Sequence, residues 1–221
     1  MNPNYKTKIW DTSVRIFHWT ITVLLGYQLI TGLSENGPSD LHVTIGYCIL
    51  GLVLFRIFWG FWGSITARFS NFLKSPIAVV KYVTSEQAAD SAPGHNPLGG
   101  YSVIAMILSL VIQVTSGLFC DDDLLLSGGL SHLASDSFTS VANLIHAINS
   151  KVLLILIFIH VTAIVWYQLV KKQNLIRPMI VGYSTDKKVS PDKFQINEHP
   201  KRAFIIAIFC ALSVIFLISW Q

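Results

Sequence analysis

Long apolar runs dominate the chain, and its polar residues gather between those runs instead of alternating within them. A helix that spans a bilayer needs about 20 mostly apolar residues. Five segments meet that requirement: about Val14–Leu33, Leu41–Trp62, Gly100–Phe119, Leu144–Val170 and Ala203–Trp220. The stretch containing Ser85, Glu86, Asp90, Pro93, Gly94 and Pro97 reads as a loop by composition, and so does the charge-rich Tyr183–Pro200. The expected fold class is all-α: an integral membrane four-helix bundle with one additional C-terminal transmembrane helix. Residues 1–183 are expected to form the transmembrane domain, and 184–221 a charged loop followed by the fifth helix.

Composition strengthens this picture. Only 13% of the 221 residues are charged and 52% are hydrophobic, whereas a soluble domain carries about a quarter charged residues. Cys48, Cys120 and Cys210 form no CxxC or CxxCH, which excludes covalently attached c-type haem and a cysteine-held iron–sulfur cluster and suggests no disulfide framework. Lys6 and Lys8 are followed by Asp11, Arg15 and His18 with no small-residue cleavage site, so the first apolar run is expected to stay in the mature chain. The net charge of +4 would suit nucleic acid, but the basic residues sit beside apolar segments. Topology explains them better; membrane lipid is an expected partner and nucleic acid is not.

Counting Lys and Arg in short loops orients the helices. Lys6, Lys8 and Arg15 precede the first span, and Arg68, Lys74 and Lys81 follow the second. Lys171, Lys172, Arg177, Lys187, Lys188, Lys193, Lys201 and Arg202 follow the fourth. Leu33–Leu41 carries Glu35 and Asp40, and Cys120–Asn143 carries Asp121, Asp122, Asp123 and Asp136, neither with a basic residue. The N-terminus is expected in the cytoplasm and the C-terminus in the periplasm.

Of seven histidines, His95, His132 and His199 fall in loops, where a solvated or capping role is ordinary. His18, His42, His146 and His160 fall in or at the ends of spans, where ionisable groups are costly and are functional candidates. His146 and His160 are 14 residues apart, nearly four turns, so they share a face about 21 Å apart along one helix. Given the orientation, His146 and His42 lie toward the outside, and His160 and His18 toward the inside. Depth pairs His42 with His146 and His18 with His160, as two bis-histidine b-type haems require. The competing reading is four unrelated histidines satisfied by interhelical hydrogen bonds, which the match at two depths disfavours.

Neighbouring residues fit the haem reading without requiring it. Gly46 follows His42 by one turn and Gly32 lies at the outer level, where small residues leave room for a porphyrin or simply let helices touch. Arg15 and Arg56 lie at the inner level and could pair with haem propionates or merely anchor helix ends at the interface. Lys151 points away from His146 and is expected to snorkel outward.

The segments WDTSVRIFHW (10–19), FRIFWGFWG (55–63), ARFSNFLKSP (67–76), GHNPLGG (94–100), the His146–His160 pair and RPMIVGY (177–183) resemble the bacterial cytochrome b561 and nickel–iron hydrogenase cytochrome b subunit family. The resemblance implies a four-helix bundle with two b-type haems, ligated by His18, His42, His146 and His160. It implies electron transfer in the inner membrane between a periplasmic partner, a cytochrome c or a hydrogenase-type iron–sulfur subunit, and quinone. It also makes Asn96 and Gly99 quinone-pocket candidates, although a turn-forming HNP segment explains them equally well. The fifth helix departs from the hydrogenase subunits, which usually end after helix four. The acidic outer loops suit a basic docking patch on the periplasmic partner. Two other classes rank lower. A superoxide-oxidising quinone reductase of similar fold would want a basic outer funnel, and a transporter would want Asp or Glu inside its spans.

Overall fold

Helix geometry follows the apolar runs closely. The structure is a computed structural model describing residues 6–32, 39–84, 94–121, 126–184 and 196–219. Glu35, Ser85, Glu86, Asp90, Pro93, Asp122, Asp123, Lys187, Lys188, Lys193 and the chain end at Gln221, all used in the sequence argument, lie outside the described residues. Eight α-helices occur among the described residues: α1 (Thr12–Gly32), α2 (Asp40–Trp62), α3 (Phe69–Phe72), α4 (Pro76–Thr84), α5 (Pro97–Leu118), α6 (Asp136–Leu169), α7 (Ile176–Val181) and α8 (Pro200–Ile218).

Three of the long helices start on a side-chain cap. Asp11 accepts the Val14 amide at 2.7 Å to open α1. Asn96 caps α5, with Pro97 in the first turn, where its missing N–H is no loss. Ser135 opens α6 by accepting from the Phe138 amide. That cap lies inside the stretch expected as an acidic loop. The helix therefore begins at Asp136 rather than near Leu144, carried by Phe138, Val141, Ala142 and Ile145. Its 34 residues make a rod of about 51 Å, longer than the roughly 30 Å hydrocarbon core.

Four helices, α2, α5, α6 and α8, have both the length and the apolarity to cross a membrane. The first expected span is the exception: α1 has 21 residues, but Arg15, His18 and Gln28 lower its apolarity. It belongs to the bundle nonetheless, packing along α2. α2 is the hub, touching α1, α5 and α8, while α5 and α6 pair along their length.

The connecting segments hold more structure than composition suggested. The link after α2 folds into α3 and α4, and the link after α6 contains α7. Gly182 ends α7 at φ 86, a left-handed conformation that glycine tolerates. Its carbonyl accepts from the amides of Ile9, at 2.8 Å, and Trp10. Beyond it, β1 (Thr7–Lys8) and β2 (Tyr183–Ser184) pair antiparallel. This tie brings the chain start onto the end of α7.

Two apolar clusters form the interior. Ile9, Trp10, Val14, Trp59 and Ala67 are buried at the N-terminal end of α1, where Ala203 and Ile206 of α8 pack against them. Ile21, Ile49, Val53, Leu110 and Leu153 form the middle of the bundle.

Candidate haem site

Helices α1, α2 and α6 carry the four candidate histidines, His18, His42, His146 and His160. α6 supplies two of them because 14 residues return the helix to nearly the same face. The His18 and His160 rings lie with centroids 6.4 Å apart, and the His42 and His146 rings 6.3 Å apart. Two imidazoles on opposite sides of one metal would give centroids roughly 6.2 Å apart, from bonds of about 2.0 Å and ring centres about 1.1 Å behind each nitrogen. Both separations suit such a ligand pair. Among the described residues no group of three or more His, Cys, Asp or Glu could hold a metal ion. A metal between these pairs would thus need its remaining ligands from a non-protein group, as haem iron has in its porphyrin.

The rings differ in their support. His146 Nδ1 faces the Gln113 carbonyl at 3.0 Å and Ser116 Oγ at 3.2 Å. Nδ1 of His18 and Nδ1 of His42 are buried without a hydrogen-bond partner. Such orphaned atoms are costly and are tolerable where function constrains the ring.

Glycines make room for the His42–His146 pair. A Cβ on Gly32 would meet His42 Cε1 at 3.3 Å, and one on Gly117 would meet His146 Cε1 at 3.0 Å. Gly46 faces the Gln28 amide instead, at 3.7 Å from its missing Cβ. Gly117 escaped the sequence reading because its partner lies on another helix. Lys151 is exposed on α6.

Both arginines are engaged by protein. Arg15 donates to the Ile180 carbonyl at 2.7 Å and to Thr12 Oγ1, leaving its buried Nε unpartnered. Arg56 is buried, donates to the Ala67 carbonyl at 3.2 Å and lies over the Phe69 ring. Asn96 accepts from the Gly99 amide at 2.6 Å and donates to Tyr167 Oη at 2.7 Å. Tyr167 in turn bonds the Tyr82 hydroxyl at 2.8 Å. Asn96 and Gly99 therefore form a helix cap with a polar extension toward α6 and α4. Burial and the Tyr167 bond push the Tyr82 phenol up from its ordinary range.

Two residues of this end were missed. His95, expected to be a solvated loop residue, is packed between the rings of Trp10 and Phe72, each centroid 4.8 Å away. Burial, then the positive charge of Arg56, lowers it to about 3. The reason is local: residues 94–96 lead into α5 under the N-terminal segment, so the ring is covered despite lying outside a helix. Asp11 is a carboxylate only 1% exposed; it accepts from Trp59 Nε1 at 3.2 Å and from Ser64 Oγ. No sequence pattern announces partners 48 and 53 residues away.

Long apolar helices enclosing opposed histidines, with glycines cleared around one pair, define the class of membrane b-type cytochromes. The chain belongs to the prokaryotic cytochrome b561 family, whose match covers residues 9–182. That range includes all four histidines and stops short of α8. No curated protein matches the chain. Membership makes this a membrane protein that binds b-type haem and transfers electrons.

Proposed function

We propose that the chain binds two b-type haems, one between His42 and His146 and one between His18 and His160, and carries electrons across the bacterial inner membrane. The observation that carries this reading is the pair of ring separations, 6.3 and 6.4 Å, each suited to two imidazoles on one metal. Haem bound there would supply one-electron redox chemistry, and histidine on both axial positions leaves no open site for oxygen. The protein's part is to hold the four imidazoles at two levels and exclude water from the space between them.

The basic segments support an orientation with the N-terminus in the cytoplasm and the C-terminus in the periplasm. His42–His146 would then be the periplasmic pair, accessible to a cytochrome c or a hydrogenase-type iron–sulfur protein. Quinone would react near the His18–His160 pair, with Asn96 and Gly99 as neighbours. Arg15 and Arg56 remain candidates for propionates, which would have to compete with the carbonyls they now bind.

Purified protein tests this directly. A reduced-minus-oxidised spectrum with haem quantitation should give two b haems per chain, and a chain that binds none sinks the proposal.

A further inference from the structure

Between α5 and α6 runs a closed ladder of polar side chains in an otherwise apolar interface. Ser109 and Asn149 are buried, at 4% and 7% exposure. Ser109 Oγ donates to Asn149 Oδ1 at 3.0 Å. Asn149 Nδ2 spends one hydrogen on the Ser109 carbonyl at 2.8 Å and the other on Gln113 Oε1 at 2.7 Å. Gln113 Nε2 then reaches the His146 carbonyl at 3.3 Å.

The side-chain ladder ends on the His146 main chain, and the His146 ring is held beside it by the Gln113 carbonyl and Ser116 Oγ. Ser116 gives its own proton to the Ile112 carbonyl at 2.7 Å, so its oxygen is left to accept from His146 Nδ1. The Gln113 carbonyl can only accept. Nδ1 must therefore carry the proton, which leaves Nε2 as the nitrogen with a free lone pair. Nδ1 of His18 and of His42 lack any such acceptor.

We propose that Ser116, Gln113 and Asn149 are positioning residues for His146, fixing its tautomer and lowering the redox potential of the haem at the His42–His146 pair. Hydrogen-bonding the distal N–H of a ligating imidazole raises its basicity and orients its ring. A more basic axial ligand favours the oxidised metal. The inference rests on the two-haem reading above. It assigns the ladder a purpose beyond packing α5 against α6.

The test is a spectroelectrochemical titration of the purified full chain, with haem content measured alongside. Ser116→Ala and Asn149→Leu should each raise the midpoint potential of one haem and alter its low-spin ferric EPR signal, leaving the other haem unchanged. The haem that moves should be the one missing from His42→Ala. Ser116→Thr, which keeps the hydroxyl, should restore the original potential. Val53→Ala, a buried truncation away from the ladder, should move neither. Unmoved potentials in Ser116→Ala and Asn149→Leu, with both haems retained, overturn this inference and leave the two-haem reading standing. A wild-type chain without two haems overturns both.

Discussion

His42 and His146 come from helices that do not pair extensively with each other, yet their rings lie 6.3 Å apart. α5 packs against both α2 and α6 and holds the two helices in place. His18 and His160, at the opposite level, likewise come from helices that do not pair extensively. α6 serves both sites, so its registry with α1 and α2 sets both at once.

The first prediction follows from that sharing. His42→Ala and His146→Ala should lose the same haem, and His18→Ala and His160→Ala the other. Haem content should fall from two per chain to one in each variant. Loss of different haems within a pair, seen in the reduced spectra, would refute the pairing.

Gly117 offers a gentler perturbation. Its Cβ would stand 3.0 Å from His146 Cε1, so Gly117→Ala must push the ring or the helix. Overpacking of this kind costs about 1–3 kcal/mol, and haem retention at the His42–His146 site should weaken about tenfold. Gly51→Ala is the control, because its Cβ would meet Val214 at an ordinary 3.6 Å. Haem-release rates measured against apomyoglobin distinguish the two.

Legibility of the fold divides along physical lines. The spans could be read because hydrocarbon thickness imposes a length, and the histidine levels because a helix repeats every 3.6 residues. Neither rule reaches residues that act once. Gly117, Ser116 and Asn149 matter through a neighbouring helix, and α3, α4 and α7 are too short to carry a period. His95 lies in a segment whose Gly and Pro suggest exposure, and only the docking of Trp10 and Phe72 covers it. The Asn96 cap could be read, but its bond to Tyr167 depends on where α6 ends.

Asp11 should prove the most sensitive structural residue near the His18 level. Its carboxylate accepts from the Val14 amide, Trp59 and Ser64, and an amide in its place would turn a donor toward donors. Asp11→Asn should lower stability by about 2 kcal/mol, read as an earlier thermal transition in detergent. Ser64→Ala, which leaves two of the three bonds, should cost less. An unchanged transition in Asp11→Asn would contradict the role given to this carboxylate.

The last prediction concerns pH and α8. Glu198 bonds Lys8 at 2.6 Å and accepts from Thr12 at both amide and hydroxyl, joining the lead-in to α8 to the start of α1. These contacts, Lys8 first, hold its carboxyl below its ordinary value of 4.5. A depressed folded value means the stabilisation is fully present above that ordinary value and is lost as pH falls through the lower one. Thermal stability of the wild type should therefore decline through the acid range more steeply than that of Glu198→Gln. Parallel pH profiles would remove Glu198 from the account.

The middle cluster of Ile21, Ile49, Val53, Leu110 and Leu153 has a consequence of its own. Leu153 stands seven residues from each histidine of α6, about 10 Å along the axis either way. The five side chains of this cluster are all aliphatic, with the Phe17 ring packed against them. An electron can tunnel through such a dry layer, whereas a proton needs a chain of polar groups that these five side chains do not provide. The cluster thus offers electrons a dry crossing and protons no relay of its own, so a proton path would have to run beside it, past the ladder of Ser109, Asn149 and Gln113.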